Sequence, residues 1–180
     1  MSVRDVNLFS ANQSNFGVAG GTDNAGWEVT STYGRIVRLD DSYFYEKYNP
    51  NSTFPGRTLA WVTNSTADIT IKSDWIPIES SQRYMASVFY FQGKGDADVT
   101  LDMEFNNTNS GTGDTYATDS SLTAPTTITF STLGDCSRLF HAFTARVSDK
   151  YARMVFKISG GSGGNLADTD GGYFYDPVIC

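Results

Sequence analysis

A cluster of acidic residues in the middle of the chain has the residue types for hydrolytic chemistry: Asp96, Asp98, Asp102 and Glu104. Two carboxylates that flank a glycosidic bond can act as the general acid and as the base or nucleophile. Asp102 and Glu104 alternate with apolar residues, so on a strand they would share one face. A solvated strand face is the simpler explanation, and we predict no catalysis from this cluster.

The single histidine, His141, is the other residue of a type common in catalysis. A hydrolase triad needs a nucleophile and an orienting carboxylate beside the histidine. No known motif around His141 supplies them, and the Gly-rich segment 160–164 lacks the strand–Ser–helix context of a nucleophile elbow. We therefore predict that His141 is a strand residue and that the protein is not an enzyme.

Aromatic residues beside polar ones point instead to sugar binding. The apolar face of a pyranose packs on an aromatic ring, while a few polar side chains bond its hydroxyls. The richest segment is 43–48, where two tyrosines share a face if the chain is extended. The predicted ligand-binding residues are Tyr43, Tyr45, Tyr48, Trp61, Arg38, Glu46, Asn64 and Tyr116. A packed sheet face or a protein interface explains these tyrosines equally well.

Charge and composition exclude several other classes. The net charge of -7 with scattered basic residues argues against nucleic acid and against an anionic membrane, because both require clustered positive charge. No apolar run approaches the roughly 20 residues of a membrane span, and no secretory signal opens the chain. Cys136 and Cys180 are too few for a disulfide scaffold; free thiols are expected, and their pairing stays open.

The hydrophobic pattern predicts short strands throughout. Residues 99–105 and 152–158 alternate as half-buried strands, whereas 84–91 is apolar on both faces, which predicts a central strand covered on each side. Further strands are predicted at 35–40, 58–63, 68–72, 126–130, 140–147 and 173–179. Polar turns separate them, with no linker or repeat. We predict one domain over residues 1–180, an all-β antiparallel β-sandwich of jelly-roll type.

Three segments together resemble carbohydrate-binding modules of families 4 and 9, which are galactose-binding-like β-sandwiches. They are Asn7, Leu8 and Phe9 with Asn12, Phe16, Gly26 and Trp27; Ser73 to Ile78 with Arg83 to Phe91; and Tyr173 to Val178. The resemblance spans nearly the whole chain, although each motif is short. It implies that Trp27 and Trp75 pack in the core.

The resemblance also implies a structural calcium ion, since carboxylates near the family's last strand often help to hold one. Here Asp176 and Asn12 are the candidate ligands, with Asp5 and backbone carbonyls. The final acidic pair is reduced to Tyr175 and Asp176, and calcium takes about six to eight oxygen ligands. The alternative is that Asp176 caps the final strand through hydrogen bonds.

These expectations combine into a non-catalytic binding protein. Modules of this kind occur alone on phage particles, so the leading hypothesis is a virion-surface accessory, such as a capsid decoration, head fibre or tail accessory. Its partners would be capsid or tail proteins, with polysaccharide as a further ligand; self-association stays open. The alternative is a carbohydrate-binding module of a secreted polysaccharide-degrading enzyme.

Overall fold

The computed structural model of the chain describes residues 7–10, 26–29, 34–39, 58–63, 67–111, 113, 127–130, 136–160 and 171–180. Within these ranges there are strands and turns and no helix, so none is long and apolar enough to cross a membrane. The strands are β1 (Trp27–Val29), β2 (Gly34–Leu39), β3 (Thr58–Thr63), β4 (Ile69–Ser73), β5 (Ile76–Pro77), β6 (Arg83–Lys94), β7 (Ala97–Asn106), β8 (Thr127–Phe130), β9 (Cys136–Thr144), β10 (Tyr151–Gly160) and β11 (Gly171–Ile179).

The strands form two antiparallel sheets. The six-stranded sheet has the order β1-β4-β10-β7-β8, with β5 also paired to β10. The five-stranded sheet has the order β2-β3-β11-β6-β9. This architecture confirms the predicted all-β antiparallel sandwich and is consistent with a jelly roll.

Alternating apolar residues build the core between the two sheets. In the six-stranded sheet, Met103 on β7 pairs with Met154 on β10, and Leu101 pairs with Phe156; all four are buried. Phe156 stacks on Phe174 of the five-stranded sheet with ring centroids 4.2 Å apart. The period-two pattern therefore sends one row of each strand into a shared core.

The predicted strands agree with the structure at most positions. β3 has the predicted bounds, and β6 lies between β11 and β9, so it is an interior strand as predicted. Its outer row is covered at Ser87 and Phe91, which are 1% and 4% exposed, as predicted, and is open at Met85, which is 45% exposed. The strand predicted at 140–147 is wrong by four residues at its start: β9 begins at Cys136, where polar side chains obscure the pattern.

The two tryptophans differ in their environment. Trp27 is buried, with its ring 5.5 Å from that of Phe9 and 5.1 Å from that of Phe156. The prediction that Trp75 packs in the core is wrong. Trp75 lies between β4 and β5, where strand alternation is interrupted; its ring is half-buried and lies under the Arg153 guanidinium, 4.3 Å from the ring centroid.

The two cysteines are free. Cys136 pairs with Phe91 on β6, while the backbone of Cys180 bonds to Met85 on the same strand. Six residues of strand separate these positions, which is about 20 Å at about 3.3 Å per residue. A disulfide needs Cα atoms within about 7 Å, so a bond between these two cysteines does not fit this fold.

Candidate functional site

The acidic residues of β7 lie on the outer face of the six-stranded sheet and are not solvated. Asp102 and Glu104 are each only 7% exposed. Glu104 accepts hydrogen bonds from Lys72 Nζ at 2.7 Å and Arg153 Nε at 2.7 Å, and Asp102 pairs with Lys157. The predicted solvated face is therefore wrong for these two residues, because Arg153 is paired with Glu104 in the sheet, while Lys157 on β10 and Lys72 on β4 reach the carboxylates from other register positions. Both carboxylates are occupied by ion pairs.

His141 lies on β9, as predicted, and points into the core. It is 5% exposed, and its ring centroid is 6.3 Å from that of Phe143. Burial lowers the pKa of His141 below its usual value, and the negative charge of Asp102 opposes this effect only in part. Across the described ranges, His, Cys, Asp and Glu side chains form no group of three or more that would suit a metal ion.

The outer face of the five-stranded sheet carries a different set of side chains. Phe174 and Tyr90 pair with each other and point into the core, so the residues beside them on β11 and β6 point outward. We call this surface the aromatic face. Its members on β6, β9 and β11 are Ser87, Phe89, Phe91, Arg138, Phe140, Tyr173 and Tyr175.

Three of these side chains form a closed stack across β9, β6 and β11. The Arg138 guanidinium lies over the Phe89 ring at 4.5 Å, and Phe89 stacks on Tyr175 at 4.9 Å with an interplanar angle of 5°. Both faces of the Phe89 ring are thus covered by neighbours. The stack supports the surface but leaves Phe89 unable to stack on a sugar.

Tyr173 has a different environment on the same face. Its ring lies against the backbone at Gly93, where an added β-carbon would be 2.3 Å from Tyr173 Cε2. The nearby Phe91 ring is tilted by 57° with its centroid 6.2 Å away. A half-buried ring against bare backbone is the arrangement on this face best suited to sugar stacking.

Polar groups flank the stack of Phe89 on Tyr175. Arg138 Nη2 donates to Ser87 Oγ at 2.8 Å, and Arg138 Nη1 lies 3.5 Å from Asp176 Oδ2. Phe140 adds an exposed ring beside them. Ser87, Phe91 and Tyr175 are buried, so the solvent boundary of the aromatic face carries the Tyr173 and Phe140 rings with a donor and an acceptor. Rings with a few polar groups are the composition of a carbohydrate site.

The predicted binding residues fall in two groups. Arg38 lies on β2 and Trp61 on β3, both in the sheet that carries the aromatic face; Trp61 pairs with Ile36 and Gly172. The others lie outside the described residues: Tyr43, Tyr45, Tyr48, Glu46, Asn64 and Tyr116. These assignments stay predictions.

Sequence reasoning missed Phe89, Arg138, Tyr173 and Tyr175. The signal was present in β6, where the second apolar row of 84–91 was attributed to a covering layer. In β11 the signal was the pair Tyr173 and Tyr175, which lie on either side of the core residue Phe174 and so form an outer aromatic row. A strand that is apolar on both faces also fits a strand whose outer row binds a ligand.

The calcium prediction rests on Asp176 and Asn12, and Asn12 lies outside the described residues. The Asp176 carboxylate faces the Arg138 guanidinium, a neighbour that disfavours a cation there. The described residues around Asp176 thus do not supply the oxygen set that calcium requires, and the ion stays a prediction.

Solved structures share this fold at low sequence identity. The enzymatically active domain of tailspike protein 4 from bacteriophage CBA120 matches with a TM-score of 0.57 and 11% identity, over 96% of this chain and 21% of that chain. The carbohydrate-binding module TmCBM61, solved with β-1,4-galactotriose, has a TM-score of 0.52 and 10% identity, over 97% of this chain and 98% of its own. A family 4 module has a TM-score of 0.53 and 13% identity, over 94% and 98%.

These likenesses define the fold as that of a carbohydrate-binding module. The chain spans nearly the full length of the two modules but about a fifth of the tailspike chain. Modules of families 16 and 22 also match. No protein-family model and no curated protein sequence matches the chain.

Proposed function

We propose that this protein binds glycans without catalysis and that the aromatic face is its binding surface. The observation that carries the proposal is Tyr173, whose half-buried ring lies against Gly93 on the face that also carries the solvent-facing Arg138 and Asp176. The solved modules give support, since one of the same fold holds a galactotriose. A family 4 or 9 type module is the specific relative that we propose.

The opposite outer face is a poorer binding surface. There Glu104 bonds to Lys72 and Arg153, and the side chains of all three are largely buried. A ligand would have to displace ion pairs that are costly to separate in a buried setting. This contrast between the two faces supports binding on the five-stranded sheet.

For the biological setting we propose a virion-surface accessory, bound to capsid or tail proteins and located on the particle. The shared fold with a phage tailspike domain supports this setting. The matches to carbohydrate-binding modules, one of them the xylan-binding domain of Xyn10C from Paenibacillus barcinonensis, support the alternative equally well, a binding module of a secreted polysaccharide-degrading enzyme. Genes for capsid or tail proteins beside this gene would favour the first setting, and a glycosidase gene would favour the second.

A glycan array followed by titration calorimetry tests the binding function. We expect the wild type to bind at least one polysaccharide and Tyr173→Ala to lose about tenfold or more in affinity, because about 1–2 kcal/mol of stacking is removed. Trp75→Ala is the matched control, since it removes a half-buried ring beside an arginine on the other sheet. Equal losses in both variants would contradict the assignment of the face.

A further inference from the structure

We propose that Asp176 and Arg138 act as a polar clamp that recognises adjacent hydroxyls of a neutral sugar and disfavours acidic glycans. The inference rests on the proposed function and names the ligand class of the same face. It starts from the backbone of Asp176, which has φ of +52°. A non-glycine residue in this region carries strain, and such strain collects at functional sites.

The strain has a geometric consequence in β11. The register with β6 shifts between Tyr175 and Val178, so that Asp176 and Pro177 lie together opposite Val88. Without this bulge, strand alternation would point position 176 toward the core, where Val88 is buried. The bulge instead turns the Asp176 carboxylate to the outer face, which is the usual effect of a bulge on a side chain.

The surrounding structure holds the bulge in place. Asn7 Nδ2 donates to the Pro177 carbonyl at 3.0 Å, and Asn7 Oδ1 accepts from the Ile179 amide at 3.1 Å. The Leu8 amide donates to the Ile179 carbonyl at 2.8 Å. These bonds fix the backbone on the C-terminal side of Asp176. Long-range contacts therefore hold the strained conformation in place.

The Arg138 guanidinium and the Asp176 carboxylate face each other without forming a short hydrogen bond. Their separation of 3.5 Å is too long for a good hydrogen bond, and the side chains are 39% and 48% exposed. Phe89 and Ser87 hold the guanidinium from the other side. One sugar hydroxyl can therefore donate to the carboxylate while its neighbour accepts from a guanidinium N–H.

The same pair sets the charge preference of the face. A sugar carboxylate that approached Arg138 would also approach Asp176, and the two negative charges would repel. The chain's net charge of -7 adds to this repulsion at low salt. A neutral glycan meets neither penalty, so the clamp favours neutral over uronate-containing ligands.

The test uses Asp176→Gly, because glycine adopts a positive φ without strain. The variant removes the carboxylate and relieves the backbone, so we expect an unchanged or higher melting temperature together with about tenfold weaker binding. Ser81→Gly is the matched control: Ser81 has φ of +62° in an exposed turn. The Ser81→Gly variant should have an unchanged or higher melting temperature, as Asp176→Gly should, but its glycan affinity should equal that of the wild type.

Calorimetry with neutral β-1,4-linked hexaoses of glucose, xylose and galactose, and with hexagalacturonate, decides the ligand class. We expect the wild type to bind a neutral hexaose more tightly, and Asp176→Asn to gain affinity for hexagalacturonate. Wild-type preference for hexagalacturonate, or full affinity in Asp176→Gly, overturns the clamp while glycan binding stands. Failure of the wild type to bind any glycan on a broad array overturns the proposed function and the clamp with it.

Discussion

Tyr173 and Trp75 are both half-buried rings on outer sheet faces, yet their neighbours give them different roles. Tyr173 lies against the backbone of Gly93 in a largely aromatic surface. Trp75 lies under Arg153, which is itself bonded to Glu104. Both rings lie against a glycine backbone, Tyr173 at Gly93 and Trp75 at Gly113, but the Trp75 ring is also covered by an arginine that is held in an ionic cluster. The type of residue alone therefore does not identify the binding surface.

The burial of His141 leads us to expect that the stability of the protein depends on pH. Its pKa in the folded protein is lowered by burial, so below about pH 6.5 the unfolded chain takes up a proton that the folded chain does not. Stability is thus intact above about pH 6.5 and falls as the pH decreases toward the lowered value, by at most about 1.4 kcal/mol per pH unit. Urea unfolding between pH 7.5 and 5 measures this slope.

The His141→Gln variant is the control for that experiment. His141 is the sole histidine in the sequence, and glutamine cannot be protonated in this range. We expect the variant to show a flatter profile between pH 6.5 and 5 than the wild type. An identical slope in both proteins would show that other groups cause the pH dependence.

At the scale of strands, β6 and β11 cooperate to shape the aromatic face. Gly93 on β6 leaves the space that the Tyr173 ring of β11 occupies. We expect Gly93→Ala to displace this ring, because the new methyl group would overlap it, and to weaken glycan affinity about tenfold. In a Tyr173→Ala background the same change should have no further effect on affinity, which a double-mutant cycle by calorimetry measures. Additive losses would contradict the proposed coupling.

The row of ion pairs across β4, β10 and β7 stabilises the other sheet. Glu104→Gln leaves Lys72 and Arg153 without their shared carboxylate in a largely buried setting. We expect a loss of about 3 kcal/mol in the free energy of unfolding, measured by urea denaturation, with glycan affinity unchanged. Asp98→Asn, at a more exposed carboxylate that accepts from Thr129 Oγ1, should cost less than about 1 kcal/mol. Equal costs would mean that burial of the Glu104 network contributes little.

The strands show what could be predicted from the sequence and what could not. Period-two alternation was sufficient to predict strands β7 and β10 from the sequence, because their inward rows are uniformly apolar. It failed at the start of β9, where Cys136 to Arg138 are polar, and for β1 and β5, which are too short to show a period. The outward turn of Asp176 depends on a bulge and on bonds from Asn7, which lies 170 residues or so away. Such long-range contacts are absent from any local pattern.

At the scale of the whole molecule, the two outer faces of the sandwich differ in the side chains that they carry. The six-stranded sheet closes its outer face with ion pairs, and the five-stranded sheet leaves aromatic and polar groups at the solvent boundary. The fold is shared with carbohydrate-binding modules at 10–13% identity, so the side chains of this chain decide the ligand. The proposed preference of the aromatic face for neutral glycans agrees with the acidic net charge of the chain.

The most direct test of this account is the mapping of glycan-induced chemical shifts by NMR on the isotope-labelled protein. With a polysaccharide fragment selected from the array, we predict that the largest shifts fall on Arg138, Tyr173 and Asp176. Trp75 and Glu104, on the outer face of the other sheet, should shift little. Shifts centred on Trp75 and Glu104, or no shifts with any glycan, would contradict the assignment of the aromatic face as a glycan-binding surface.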